Sequence, residues 1–179
     1  LIAIGALCKN RTYVVKSVNR NDLEVVNGEF DNRKMGEEYG KAKHVHNCIE
    51  GYEQHSLGKK TLIFNCNVEH SIKVTEAFCD AGYNARHLDG SMKEDERKAV
   101  LRWFAETPDA ILCNIAVLTA GFDEPSIRTV IVNRATKSLP LWLQMTGRGS
   151  RTYPGKDYFT IIDMGGNAIE HGDWSQRRD

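Results

Sequence analysis

From Thr61 onward the chain alternates short apolar runs with amphipathic stretches, and this alternation limits the fold more than any other feature. The runs are TLIFNC, ARHL, DAILCNI and TVIVNRA, and YFTIIDM closes the series. Runs that are apolar on both faces are typical of central strands covered by helices on each side. The pattern therefore predicts βαβα units on a mostly parallel sheet, an α/β fold built as a three-layer sandwich.

The stretches between these runs have helical spacing. Apolar residues recur at i, i+3, i+4 and i+7 over residues 74–81, and Gly82 follows as a left-handed stop. A capping box at residues 91–94 predicts the start of the next helix. Ser138 predicts the start of a third helix, which ends before Gly147. Nearer the amino terminus, TYVVKSV predicts a strand and residues 33–56 predict one polar helix.

The composition limits where the chain works. It has 179 residues, 41% of them hydrophobic, and 24 basic residues balance 24 acidic ones. A neutral chain has no overall attraction to polyanions, so any nucleic-acid contact must come from a local patch. Five cysteines without a CxxC pair favour a reducing, cytoplasmic location. No apolar run approaches the roughly 18 residues that span a bilayer, so we expect no membrane partner.

The strongest chemical signal is QMTGRGSR, residues 144–151. It ends a predicted helix and places Arg148 and Arg151 three residues apart, so a near-helical backbone would point both guanidiniums the same way. Guanidiniums are planar, permanently charged and suited to phosphate oxygens. Such a group, reaching a nucleotide from a second lobe, raises hydrolysis by about 10³ to 10⁵ in other NTPases. The alternative is a solvated basic turn.

A second signal is LTAGFDEP, residues 118–125, which follows the predicted strand DAILCNI. We expect this loop at the carboxyl edge of the sheet, where ligands bind in open α/β folds. Gly121 would let the backbone approach a ligand, Asp123 would accept from a ribose hydroxyl and Thr119 would donate to a phosphate. The alternative is an ordinary loop between two strands.

Two other strand ends carry groups suited to phosphates. Asn65 lies at the end of TLIFN, and Gly90 and Ser91 lie between HLD and the following helix. Amides at strand ends and helix starts are candidate contacts to a nucleic-acid backbone, although helix capping explains the same residues.

A metal site is not expected. His44, His46 and Cys48 alternate along a predicted helix, so their side chains fall on different faces. A closed zinc site needs four converging ligands, and this spacing does not supply them.

Four segments, in this order, resemble the motifs of superfamily 2 helicases of the DEAD/DEAH type. TLIFNCN resembles motif IV, HLDGSMKEDERKAVLRWF the HxDG segment, LTAGFDEP motif V and QMTGRGSR motif VI. IIDMGGNAIEHGDW is similar to the end of the C-terminal lobe in phage and bacterial members. The resemblance implies a RecA-like lobe at residues 59–179. Residues 1–58 would be the end of the inter-lobe linker with the leading strand and helix of the lobe.

The resemblance also implies roles. Arg148 and Arg151 would contact the γ-phosphate of ATP, Gln144 would couple hydrolysis to movement, and Gly121 with Asp123 would lie near the nucleotide. Four residues are implied to face the nucleic-acid strand: Thr119, Asn65, Gly90 and Ser91. DEAD-box proteins have His where this chain has Gln144, which favours DNA over RNA as the partner.

The sequence contains neither the GxxxxGK[ST] loop nor the DExx carboxylates that phosphoryl transfer requires. We therefore expect ATP and Mg²⁺ to be bound mainly by an N-terminal RecA-like lobe of the same protein. The chain starts without methionine, and we expect a monomeric fragment that hydrolyses no ATP by itself. Two alternatives stay open: a RecA-like module that binds nucleic acid or protein without catalysis, and a translocase subunit of a restriction or remodelling machine.

Overall fold

A computed structural model describes residues 1–2, 4–115 and 122–178 of the chain. Within these residues the strands are β1 (Lys9–Val14), β2 (Val25–Val26), β3 (Glu29–Phe30), β4 (Thr61–Asn65), β5 (Ala85–Leu88), β6 (Ile111–Ile115), β7 (Thr129–Val132) and β8 (Tyr158–Asp163). The helices are α1 (Asn32–Tyr39), α2 (Ala42–His55), α3 (Val68–Asp80), α4 (Glu94–Glu106), α5 (Leu139–Thr146) and α6 (Asn167–His171).

Six of the strands form one parallel sheet in the order β1-β8-β7-β4-β6-β5, and β2 with β3 forms a separate hairpin. In the centre, Thr61 of β4 is level with Thr129 of β7 and with Ile111 of β6. Because every neighbouring pair is parallel, all six amino ends lie at one edge of the sheet and all six carboxyl ends lie at the other. Each site can therefore be assigned to an edge.

The sheet separates two apolar cores. On β4, Ile63 packs into the core formed with α1, α2 and α3, whereas Leu62 and Phe64 pack into the core formed with α4 and α5. All three side chains are buried, and full burial of an aliphatic or aromatic side chain contributes about 1.5–3 kcal/mol. The apolar runs are thus buried on both faces, and the predicted three-layer α/β sandwich with a mostly parallel sheet is confirmed.

The residues before position 58 are part of this sandwich. They supply the edge strand β1 and the helices α1 and α2. The guanidinium of Arg20 donates to the carbonyl oxygens of Gly165 at 2.6 Å and Thr136 at 3.0 Å, and it pairs with Glu170 at 2.5 Å. These contacts join the amino-terminal segment to the end of the chain. The proposed domain division at residue 58 stays a prediction.

Three local predictions are wrong. Residues 33–56 form two helices instead of one, because α1 ends at Gly40 and the backbone of Lys41 is extended. Ala81 is exposed, because α3 ends one residue earlier, while Gly82 has the expected positive φ of 90°. The helix α4 begins at Glu94 instead of near Ser91.

Candidate functional site

The segment with the two predicted arginines follows α5 directly, and we call residues 147–151 the arginine turn. Ser138 begins α5 as expected, since its hydroxyl accepts from the Leu141 amide at 3.2 Å. The helix ends at Thr146, and Gly147–Gly149 continue as a single 3-10 turn. A β-carbon at Gly149 would overlap the fully buried ring of Phe159 on β8. The turn is therefore packed directly against the sheet.

Both arginines face one open cavity of about 310 Å³, which we call the arginine cavity. Arg148 Nη1 donates to the carbonyl oxygen of Phe122 at 2.7 Å. Arg151 Nη1 pairs with Asp123 Oδ2 at 2.8 Å, and the two side chains are 55% and 51% exposed. The lining residues are Phe122, Asp123, Glu124, Gly147, Arg148 and Arg151. Two cationic groups and a carboxylate thus meet at a surface that solvent reaches.

The arginine cavity lies at the amino edge of the sheet. Just before β1, the Cys8 amide donates to the carbonyl oxygen of Ser150 at 2.8 Å. Just before β4, Lys60 Nζ donates to Ser126 Oγ at 2.9 Å. The expected position of residues 118–125 at the carboxyl edge is therefore wrong for their described part. A loop that joins parallel strands leaves the carboxyl end of β6 and must return to the amino end of β7.

Among the described residues that were predicted for this site, Gln144 does not line the cavity. Thr119 and Gly121 lie outside the described residues. Gln144 is exposed on α5. Their roles stay predictions.

At the opposite, carboxyl edge a chain of hydrogen bonds connects three strand ends with α3. Asn133 donates to Asn65 at 2.9 Å, Asn65 to Ser71 at 3.2 Å, and the Ser71 hydroxyl lies 2.8 Å from His87 Nδ1. His87 Nε2 lies 2.5 Å from Asp89 Oδ2. If the His87 proton is on Nε2, the two asparagines, Ser71 and His87 each donate one hydrogen bond along the series, and Asp89 accepts the last one. Asn65 is fully buried inside the series, and its contact with the nucleic-acid strand stays a prediction.

The series ends in the loop of Gly90 and Ser91. Asp89 Oδ1 accepts from the Ser91 amide at 2.7 Å and from its hydroxyl at 2.5 Å. The Ser91 hydroxyl, together with His87, keeps the pKa of Asp89 below its usual value, although burial opposes this effect. These bonds explain why Ser91 is not the cap of α4. Gly90 is exposed, and apart from its two chain neighbours no atom of the described residues lies within 4 Å of the position of its missing β-carbon.

At the amino edge, Lys156 contacts the arginine turn and is a polar residue that sequence reasoning missed. It follows a proline and a glycine in a surface-like turn, yet only 7% of it is exposed. Its Nζ donates to the carbonyl oxygens of Gly149 at 2.7 Å, Arg151 at 2.7 Å and Pro125 at 3.1 Å. Lysines are almost never fully buried unless they are paired, and in a sequence a buried lysine cannot be told from a solvated one.

A larger cleft of about 850 Å³ lies at the carboxyl ends of β1 and β8. Val14 and Met164 mark those strand ends, and Lys16 and Lys137 add positive charge. No sequence pattern indicates this cleft, because its walls come from segments more than a hundred residues apart.

No metal centre is visible in the part of the chain that the structure describes. No group of three or more His, Cys, Asp or Glu side chains there has a geometry that could hold a metal ion. His44 and Cys48 are buried in α2, whereas His46 between them is exposed and faces away from both. None of the helices among residues 1–2, 4–115 and 122–178 is both long and apolar enough to cross a membrane.

Fold and site together define a RecA-like α/β lobe. The model of the helicase conserved C-terminal domain matches residues 40–153. The chain therefore belongs to this family, and the sequence-based assignment to the superfamily 2 helicases is confirmed.

Individual relatives agree with this assignment. The chain is 31% identical over 172 residues to a 51.5 kDa protein of a Lactococcus phage (isolate 7-9). This alignment covers 96% of the chain and 38% of the phage protein. It is 36% identical over 136 residues to irc3 of Schizosaccharomyces pombe, a candidate mitochondrial ATP-dependent helicase, which covers 75% of this chain and 22% of irc3. The chain thus spans less than two fifths of the length of either relative.

A solved structure shows the same fold. The ATP-dependent Type ISP restriction-modification enzyme LlaBIII, determined bound to DNA, superposes with a TM-score of 0.66 at 22% identity. The match covers 92% of this chain and 12% of that enzyme.

Proposed function

We propose that this chain is the C-terminal motor lobe of an ATP-dependent helicase or translocase, in which Arg148 and Arg151 contact the γ-phosphate of ATP. The observation that carries this proposal is the arginine cavity, where both guanidiniums face one open space. A nucleotide and its Mg²⁺, held mainly by an N-terminal lobe, would present the γ-phosphate there. Guanidiniums in that position neutralise the charge that develops during phosphoryl transfer. Asp123 would accept from the ribose.

The ion pair between Arg151 and Asp123 does not oppose this role. Both partners are about half exposed, and exposed pairs contribute about 0–1 kcal/mol. A guanidinium can make two parallel hydrogen bonds to a phosphate, and charge-assisted bonds of this kind are about twice as strong as neutral ones. ATP can therefore displace the pair at small cost.

The carboxyl edge supplies the proposed nucleic-acid contacts. Gly90 offers an accessible backbone, and Asp89 holds Ser91 in place beside it. Thr119 is proposed to reach the same strand. Asn65 acts indirectly in this proposal, since it is one link in the buried series that ends at Asp89. DNA is the proposed partner, because Gln144 stands where DEAD-box proteins have His and because the similar restriction enzyme was determined bound to DNA.

Replacement of Arg148 or Arg151 by Ala in the whole protein tests this proposal. We expect DNA-stimulated ATP hydrolysis to fall by about 10³-fold or more for each variant. The matched control is Arg33→Ala, which removes an arginine from another exposed ion pair, with Glu37, away from the cavity. Full ATPase activity in both cavity variants would instead support a module that binds nucleic acid without catalysis.

The lobe by itself should not hydrolyse ATP, since it lacks the phosphate loop and the DExx carboxylates. Magnesium-dependent phosphate release by the purified 179-residue chain would contradict this expectation.

Gln144→Ala in the whole protein is expected to retain ATP hydrolysis while movement along DNA is lost. Triplex displacement and strand separation assays on the whole protein would distinguish translocation along duplex from unwinding.

A further inference from the structure

The buried Lys156 occupies an unusual position behind the arginine turn. Its ammonium group has three N–H donors, and three main-chain carbonyl oxygens surround it at 2.7, 2.7 and 3.1 Å. Lys156 does not line the arginine cavity. Any effect it has on the cavity must therefore act through the backbone.

The three carbonyl oxygens belong to the two segments that form the cavity walls. Those of Gly149 and Arg151 lie in the arginine turn, and that of Pro125 follows Asp123 by two residues. The ammonium group thus cross-links the backbone that carries the arginines to the backbone that carries their carboxylate partner. Any buried ammonium group needs acceptors, and here those acceptors come from both walls of the cavity.

We propose that Lys156 is a positioning residue, whose ammonium group holds Arg148 and Arg151 in the orientation that reaches the nucleotide. This inference rests on the proposed function of the arginine cavity. A misplacement of about 1 Å at a catalytic group can cost about 10²-fold in rate. The loss of this cross-link is therefore expected to lower kcat without a comparable change in the KM for ATP.

The protonation state of Lys156 makes the proposal testable by pH. Burial lowers the pKa of Lys156 to about 8. Above this pH the neutral amine has two N–H donors for three acceptors, so one carbonyl oxygen loses its N–H donor. The oxygen of Arg151 also accepts from the Cys8 thiol at 3.4 Å. The other titratable or charged groups that face Lys156 are the thiol of Cys8, before β1, and the guanidinium of Arg128. The guanidinium stays charged, so a variant without the Cys8 thiol is the necessary control.

The decisive experiment measures kcat and KM for ATP across pH 8 in the whole protein, for wild type, Lys156→Met and Cys8→Ala. We expect kcat of the wild type to fall as pH rises through about 8. The same fall should persist in Cys8→Ala. Lys156→Met should have a kcat between about 10- and 100-fold lower at neutral pH, with no step near pH 8. A wild-type kcat in Lys156→Met, or a step abolished by Cys8→Ala, would overturn the proposal.

A measurement on the wild-type 179-residue chain keeps the proposal testable even if Lys156→Met does not fold. The Nε–Hε NMR signals of Arg148 and Arg151 should shift with a midpoint near pH 8, whereas those of Arg33 should not. Signals that stay constant across this pH refute the positioning role. If the signals titrate but Arg148→Ala keeps full ATPase activity, the positioning holds and the proposed function fails. If Arg148→Ala is inactive and Lys156→Met is fully active, the proposed function holds and the positioning role of Lys156 fails.

Discussion

Replacement of Gly149 by Ala should move the arginine turn, because the new β-carbon would overlap the buried ring of Phe159. The ring is fixed in the sheet, so the turn must shift. Overpacking of this kind costs about 1–3 kcal/mol. For a domain of this size, 1 kcal/mol lowers Tm by about 2–4 °C, which gives an expected decrease of about 2–12 °C.

Thermal unfolding of the 179-residue chain, followed by circular dichroism, measures this effect. Gly90→Ala is the matched control, since no atom lies near its missing β-carbon, and a change within about 0.5 kcal/mol is expected there. Phe159→Leu should relieve the overlap, so the double variant with Gly149→Ala should be more stable than the sum of the two single changes predicts.

The result that would refute the reasoning is additivity. If Gly149→Ala lowers Tm equally in the presence and the absence of the Phe159 ring, the turn does not pack on this ring as described. An unchanged Tm in the single variant would have the same meaning.

Three further predictions concern the carboxyl edge. Gly90→Ala should weaken single-stranded DNA binding about tenfold in fluorescence anisotropy, by obstructing one backbone contact, and unchanged affinity would exclude that contact. Arg20→Met should lower the free energy of unfolding in urea by about 1–3 kcal/mol for each carbonyl oxygen left without a donor, and an unaltered midpoint would contradict this. Asp89→Asn should lower Tm at neutral pH; because the folded pKa of Asp89 is lowered, the difference from wild type should close as pH falls through that pKa, and a constant difference would refute this cause.

The central strands could be predicted from sequence because their burial leaves a direct mark on composition. The run TLIFN has no charged residue, and the structure buries all five of its side chains. The end of α3 was predictable for a similar reason, since Gly82 has a backbone conformation that other residues avoid. Such local signals decide where an element lies and how it ends.

The positions of polar groups were less predictable, because they depend on distant contacts. Ser91 has the spacing of a helix cap, but its amide and its hydroxyl both donate to the Asp89 carboxylate instead. Asn65 looks like a surface amide at a strand end, yet Asn133, sixty-eight residues away, binds it inside the sheet. Lys156 reads as a solvated lysine until its three carbonyl partners are seen together. Spacing alone could not show these partners.

The two candidate surfaces lie at opposite edges of the same sheet, and this separation has a mechanical consequence. A strand of five residues such as β4 is about 17 Å long, and a sheet packed between two helical layers does not bend easily. When the lobe rotates about the arginine turn, the displacement therefore grows with the distance from the turn. Gly90 then moves farther than the residues of the turn itself. The two points are separated by at least one strand length, because the arginine turn packs on β8 whereas Gly90 follows β5, the strand at the opposite side of the sheet.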